Sequence, residues 1–213
     1  MHRSQIHLIR HGITEGNQKR WFYGDSDIPL ADEGRKELSQ LAAAGIYPVA
    51  DGTQNRGKAD LYTSGMLRTE QTFLIIYGNR EHAQIKDLVE FHFGDFEMKT
   101  HEELKGKLLY QQWIADKTGE ASAPKGESSV AFSARVMRGY DTLFKKHHLK
   151  EVSLQDCGKE AHSIAVCHGG VIAAIMMHKF SADNKNLYQW IPDPGHGYSI
   201  TIENGKEVSY KLF

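Results

Sequence analysis

The chain has 213 residues, and its 26 lysines and arginines against 27 aspartates and glutamates leave a formal net charge of -1. That length can bury a sizeable core and suits one globular unit, and the charge balance excludes a broad attraction to nucleic acid or an anionic membrane, so any bound anion must be gripped locally. The opening MHRSQIHLIRHG carries an apolar run too short and broken for a signal peptide. The longest apolar region, SIAVCHGGVIAAIMM, is interrupted by His168 and two glycines, which points to a cytoplasmic protein.

In chain order, QIHLI at 5–9 reads as a strand, and LADEGRKELSQLAAAG reads as a helix that begins near Asp32 and stops at Gly45. ADLYTS at 59–64 is a second strand. The helix after it carries Leu67, Phe73, Ile76 and Tyr77 and ends at Gly78. AQIKDLVE alternates apolar and polar residues and predicts a further strand closing at Glu90. A polar, aromatic-dotted stretch follows, and about 92–127 is expected as an excursion of short helices and loops within one domain spanning 1–213.

From Ser128 to His148, Phe132, Val136, Tyr140, Leu143 and Phe144 recur at three- and four-residue steps, the pattern of a long amphipathic helix. His147 and His148 at its end are expected in solvent or near the helix C-terminus. HSIAVCHGGVIAAIMMHKF repeats the strand-then-helix pattern with its switch at His168 to Gly170, and YSITIENGKEVSYKLF predicts a hairpin around Asn204-Gly205. Strands alternating with helices predict an α/β sandwich around a largely parallel sheet. Cys157 and Cys167 have neither C-x-x-C nor zinc-ligand spacing and are expected as free thiols.

Ligands in such sheets bind beyond the carboxyl ends of the strands. There the chain gathers His11, His168, Ser64, Arg68 and Glu90, with Arg10 beside His11. Two guanidiniums favour a doubly charged anion, because each is a planar fork of donors matched to phosphate oxygens. The amides of Gly169 and Gly170 would add a helix N-terminus, Gly12 lets the backbone approach a ligand, and Asn17 can donate its amide. Nearby cations keep an imidazole neutral, which suits it for attack on phosphorus.

Glu90 is the candidate proton donor to a leaving alkoxide, with Asp95 and Glu97 as alternatives. Trp21, Phe22 and Tyr23 are candidates to line the leaving-group pocket, or else ordinary packing aromatics. No HExxH or comparable ligand spacing is present, so neither a metal nor a cofactor is expected.

LIRHGITEGN, TSGMLRTEQT, LVEFHFGDFE and VCHGGVI resemble, in order and spacing, the histidine phosphatase superfamily of phosphoglycerate-mutase-like proteins. The resemblance implies a three-layer α/β/α sandwich with a mostly parallel sheet. It implies His11 as the phosphorylated nucleophile, with Arg10, Arg68 and His168 holding the phosphoryl group, Glu90 as proton donor, Asn17 as a phosphate contact and Gly24 near the substrate, while Tyr23 and Gly169 are substrate-binding candidates on the reading of the loop and helix start above. Ser64-Gly65 stands where the family often has Ser-Pro, and Cys167 where serine or threonine is more frequent; neither removes a catalytic group.

A phosphatase acting on a small phosphorylated molecule is the leading expectation. The 92–127 region lacks the longer basic, proline-rich insert usual in phosphoglycerate mutases, although a mutase and a non-catalytic phospho-ligand-binding module both remain alternatives. Homo-oligomerisation is left open.

Overall fold

The strand His162–Cys167, HSIAVC, is buried at every position, so it must be covered on both faces. In the computed structural model, which describes residues 3–213, it is the fourth of six strands. The order along the chain is β1 (Arg3–Arg10), α1 (Glu15–Lys19), α2 (Asp32–Ala43), β2 (Asp60–Thr63), α3 (Leu67–Tyr77), β3 (Ala83–Gln84), α4 (His101–Leu104), α5 (Leu108–Ala115), α6 (Ser129–Leu154), β4 (His162–Cys167), α7 (Gly169–Lys179), α8 (Leu187–Trp190), β5 (Gly197–Glu203) and β6 (Lys206–Leu212). The sheet order is β3-β2-β4-β1-β5-β6. The pairs β3-β2, β2-β4 and β4-β1 are parallel, while β1-β5 and β5-β6 are antiparallel.

Alternation along the strands sorts the core into two layers. Ile9, Leu61, Ile164 and Val166 face α2 and α3, meeting Leu38 and Phe73. Ile6, Leu8, Tyr62, Ala165 and Cys167 face the other way, onto Val136, Tyr140 and Leu143 of α6 and Val171, Ile172 and Ile175 of α7. The α/β/α sandwich and the mostly parallel sheet are therefore as expected. Asn204 and Gly205 both lie at positive φ, 51° and 74°, the backbone that a tight two-residue hairpin turn requires. Among the described residues, no helix is long and apolar enough to cross a membrane.

Three expectations need correction. The strand expected to close at Glu90 is only Ala83–Gln84. A 3₁₀ turn at Lys86–Leu88 follows, burying Leu88 under α6, so Glu90 arrives on a loop. The long helix continues to Leu154, six residues beyond His148. His147 is consequently inside the fold, only 1% exposed, with its Nδ1 2.9 Å from Ser163 Oγ and its Nε2 2.9 Å from Ser4 Oγ. His148 is exposed beside Glu151, as its position suggested.

His147 belongs to a set of buried imidazoles at the amino ends of the parallel strands, away from the carboxyl edge. His7 on β1 and His162 on β4 meet on the opposite face of the sheet, with ring centroids 5.9 Å apart at 90°. Burial drives the pKa of His7 down to about 3 and those of His147 and His162 to about 4.

Gly94–Phe96, α4 and α5 are the helical pieces of the excursion, and the rest of it is loop. It carries its own small cluster of Phe96, Leu104, Tyr110 and Ala123, against which Phe22, Phe93 and Trp113 pack.

Candidate active site

Strand register delivers the site. Arg10 pairs with Cys167 across β1-β4, and Thr63 pairs with Val166 across β2-β4. The ladder continues one residue further, with His11 N donating to Cys167 O at 3.0 Å and Ser64 N to Val166 O at 3.2 Å. His11, Ser64 and His168 therefore emerge side by side where three parallel strands end. The two imidazoles lie with centroids 5.2 Å apart, and both are buried, as is Arg68.

Hydrogen-bond partners assign the tautomers. His11 Nδ1 lies 2.8 Å from Gly12 O. A carbonyl only accepts, so Nδ1 carries the proton and Nε2 keeps its lone pair. His168 Nδ1 accepts from Arg68 Nε at 3.3 Å, which puts its proton on Nε2, donated to Ser64 Oγ at 2.8 Å. Thr69 Oγ1 gives its proton to Met66 O at 2.7 Å, so Ser64 donates onward to Thr69 at 3.1 Å. The relay is directional, and every member has an acceptor.

Burial, followed by the charges of Arg68 and Arg10, holds the pKa of His11 well below its ordinary value. His168 is lowered in the same way by burial, Arg68, His11 and Arg10. Both rings are neutral near pH 7, and His11 presents an unprotonated nitrogen among cations.

Arg68 is locked by protein oxygens on one edge, Nη1 donating to Ser26 O at 3.0 Å and Nη2 to Gly24 O at 2.8 Å, while its guanidinium lies 5.1 Å from the Tyr23 ring centroid. Arg10 Nη1 donates to Pro192 O at 2.7 Å. Its Nε is buried and has no partner among the described residues. An orphaned buried N–H is costly in a native structure unless a ligand meets it, and an anion oxygen is its natural acceptor. A Cβ on Gly169 would sit 3.0 Å from that same Nε, so glycine there makes room for the guanidinium.

Glu90 is held by two backbone amides, Oε1 accepting from Phe91 N and Oε2 from Gly170 N, each at 2.9 Å. The N-cap residue of α7, His168, makes no side-chain cap bond. The Glu90 carboxyl group takes that place at the start of the helix, and with one amide on each oxygen it keeps a lone-pair direction free to carry a proton. Of the two amides expected to meet a ligand, that of Gly170 is thus committed to Glu90. Neither Asp95 nor Glu97 takes this place: Asp95 is exposed beside Lys125, and both oxygens of Glu97 accept from Gly24 N at 3.0 Å.

The remaining expected residues surround this centre. Asn17 forms a capping box with Thr14, its Oδ1 accepting from Thr14 N at 3.0 Å, while its Nδ2 has no partner among the described residues. The Tyr23 ring is 6.5 Å from that of His11, its hydroxyl is 2.7 Å from Thr14 Oγ1, and burial raises its pKa, so the phenol is neutral. Gly24 has its N–H and its carbonyl both committed to protein, and a Cβ there would lie 1.7 Å from Phe91 O. Phe22 packs among Phe93, Tyr110 and Trp113.

The sequence reading missed Arg135 of α6. Its guanidinium reaches the carbonyls of Asp87, Val89 and Glu90 at 2.9–3.1 Å and also pairs with Glu127. It struts the loop that carries Glu90. A polar position on an amphipathic helix gives no signal of that role. Among the described residues, no three His, Cys, Asp or Glu side chains converge as a metal site would require.

Comparison with known proteins gives the family and the fold. The profile of the histidine phosphatase superfamily (branch 1) matches residues 6–212. The adenosylcobalamin/alpha-ribazole phosphatase of Salmonella typhimurium is 24% identical over 205 residues, covering 94% of this chain and 92% of its own length. Phosphoglycerate mutase-like protein 4 of Arabidopsis thaliana is 29% identical over 183 residues, covering 81% and 69%. The crystal structure of the alpha-ribazole phosphatase from Shigella flexneri shares the fold, with a TM-score of 0.75 at 23% identity over 98% of this chain and 94% of that one. Matched over nearly its whole length, and with its histidines and arginines meeting at one sheet edge, the chain belongs to the histidine phosphatase superfamily.

Proposed function

We propose that the protein is a phosphomonoester hydrolase that works without a metal ion through a phosphohistidine on His11. The observation that carries this reading is the His11 tautomer: Nδ1–H is fixed on Gly12 O, and Nε2 is left with its lone pair between two guanidiniums. Arg10 and Arg68 grip the transferring phosphoryl group, His168, whose two ring nitrogens are taken by Arg68 and Ser64 rather than by phosphate as the resemblance implied, orients Arg68 beside it, and the free amide of Asn17, with Tyr23, Gly24 and Gly169, forms the rim.

Nε2 attacks phosphorus as the P–O bond to the leaving group breaks. The electron pair goes to that oxygen, and Glu90 protonates it. Glu90, now a carboxylate, takes a proton from water; the water oxygen bonds phosphorus, the P–N bond breaks, and its pair returns to Nε2. Inorganic phosphate leaves with the enzyme restored. Phosphoryl charge developing between Arg10 and Arg68 meets donors already in place, so little reorganisation is needed during the step.

Hydrolysis is favoured over return of the phosphoryl group to a bound hydroxyl because two curated relatives aligned along nine tenths or more of both chains, from Salmonella typhimurium and Escherichia coli, are named phosphatases. The test is product analysis across a panel of phosphomonoesters that includes α-ribazole phosphate and 3-phosphoglycerate. Release of inorganic phosphate matched one for one by free alcohol is the expected outcome. Phosphoryl transfer without release would make the protein a mutase, and no turnover of any member would leave a binding module.

A further inference from the structure

Glu97 has no part in the steps above, yet its carboxylate is the most heavily bonded on this side of the molecule. Gly24 N reaches both oxygens at 3.0 Å, Asp25 N and Phe93 N reach Oε1 at 3.2 and 3.0 Å, and Ser26 reaches Oε2 through its N at 3.2 Å and its Oγ at 2.7 Å. Five donor groups converge on two oxygens that offer about four lone-pair directions, so the side chain is saturated as an acceptor. It has no free direction from which to hand a proton to a leaving group.

The far side of the same turn explains the arrangement. With their amides drawn toward Glu97, Gly24 and Ser26 direct their carbonyls to Arg68, whose Nη2 and Nη1 they accept at 2.8 and 3.0 Å. The third edge of that guanidinium donates to His168. One carboxylate therefore orders a three-residue turn, and the turn orders a buried cation. We propose that Glu97 is a positioning residue for phosphate binding, fixing through the Gly24–Ser26 carbonyls the orientation in which the Arg68 guanidinium meets the phosphoryl oxygens. The proposal rests on the reading of Arg68 as a phosphate-gripping group.

Glu97→Gln tests it, because the amide places an N–H donor against donors that now meet an oxygen. The readouts are steady-state kinetics with p-nitrophenyl phosphate, inhibition by orthovanadate, and the exchange rate of the Arg68 Nε–H proton by NMR, the last assigned by its loss in Arg68→Lys. Bonds to charged acceptors are strong enough that KM and the vanadate inhibition constant should rise together by about tenfold or more, with kcat held within about threefold. Exchange at Arg68 Nε–H should accelerate alongside. Ile202→Ala, which loosens the core beside Ser4 at the amino end of β1, should leave KM and vanadate inhibition unchanged at a comparable loss of thermal stability.

If Glu97→Gln does not fold, Ser26→Ala removes one donor from the same carboxylate, and a rise of about twofold in KM with kcat unchanged is expected. Unchanged vanadate inhibition, or an unchanged Arg68 signal in the folded variant, overturns the proposal. A wild-type protein that hydrolyses nothing, but whose Arg68 proton still responds to Glu97→Gln, supports the positioning and defeats only the phosphatase reading.

Discussion

Two side chains that both bear acid–base chemistry are told apart by the atoms around them. His11 is kept neutral by burial and by Arg68 and Arg10, in that order. Its acid limb in kcat/KM is accordingly expected well below the ordinary histidine range, and Arg10→Met should move that limb upward without reaching the ordinary histidine value, since burial and Arg68 remain. A limb that stays in place would show that Arg10 does not face the nucleophile. Glu90, seated on the amides of Phe91 and Gly170, is proposed for the opposite task of supplying a proton. Glu90→Gln should slow alkyl phosphates by about a hundredfold or more but p-nitrophenyl phosphate by less than about tenfold, because nitrophenolate leaves without a proton. Equal losses on both substrates would remove Glu90 from the acid role.

Elements set these positions, and α7 shows how. Its first turn lacks a side-chain cap of its own and is closed instead by Glu90, so helix and acid are one unit. A Cβ on Gly170 would meet Glu90 Oε1 at 2.5 Å. Gly170→Ala should therefore reproduce the Glu90→Gln selectivity between alkyl and nitrophenyl phosphates while the protein stays folded; a variant with wild-type rates on alkyl phosphates would contradict this coupling. Much of this was legible beforehand. HSIAVCHGG announces a buried strand turning into a helix, and strand ends in an α/β sheet locate the histidines and arginines. The approach of Glu90 was not legible, because AQIKDLVE alternates like a strand and only the packing of Leu88 under α6 diverts it into a turn. Nor was the inward turn of His147, since its partners Ser4 and Ser163 lie on strands distant in sequence. Roles such as those of Arg135 and Glu97, which bond backbone carbonyls and amides, leave no mark in a residue pattern.

Across the whole molecule, the carboxyl edge of the sheet concentrates cations for a ligand, while the amino end hides neutral histidines. Burial lowers His7 to about 3, and His147 and His162 to about 4, from an unfolded value near 6.5. Their folded pKa values are depressed, so their contribution to stability is complete above about pH 6.5 and is lost as pH falls through 6.5 toward 4. Each unit between the two values is worth about 1.4 kcal/mol, so three rings together cost several kcal/mol, a large share of an ordinary domain's stability. Thermal unfolding should show Tm dropping steeply below pH 6, and His162→Asn should flatten that drop; a Tm independent of pH between 6.5 and 4.5 would contradict it. At the other end of the sheet, His11 itself is proposed to carry the phosphoryl group. This is tested most directly by mixing enzyme with a labelled phosphomonoester, quenching within one turnover and mapping the label. An acid-labile, alkali-stable phosphate on His11 Nε2, absent from His11→Ala, is the expected result, and turnover in the wild type with no phosphorylated His11 would rule the intermediate out.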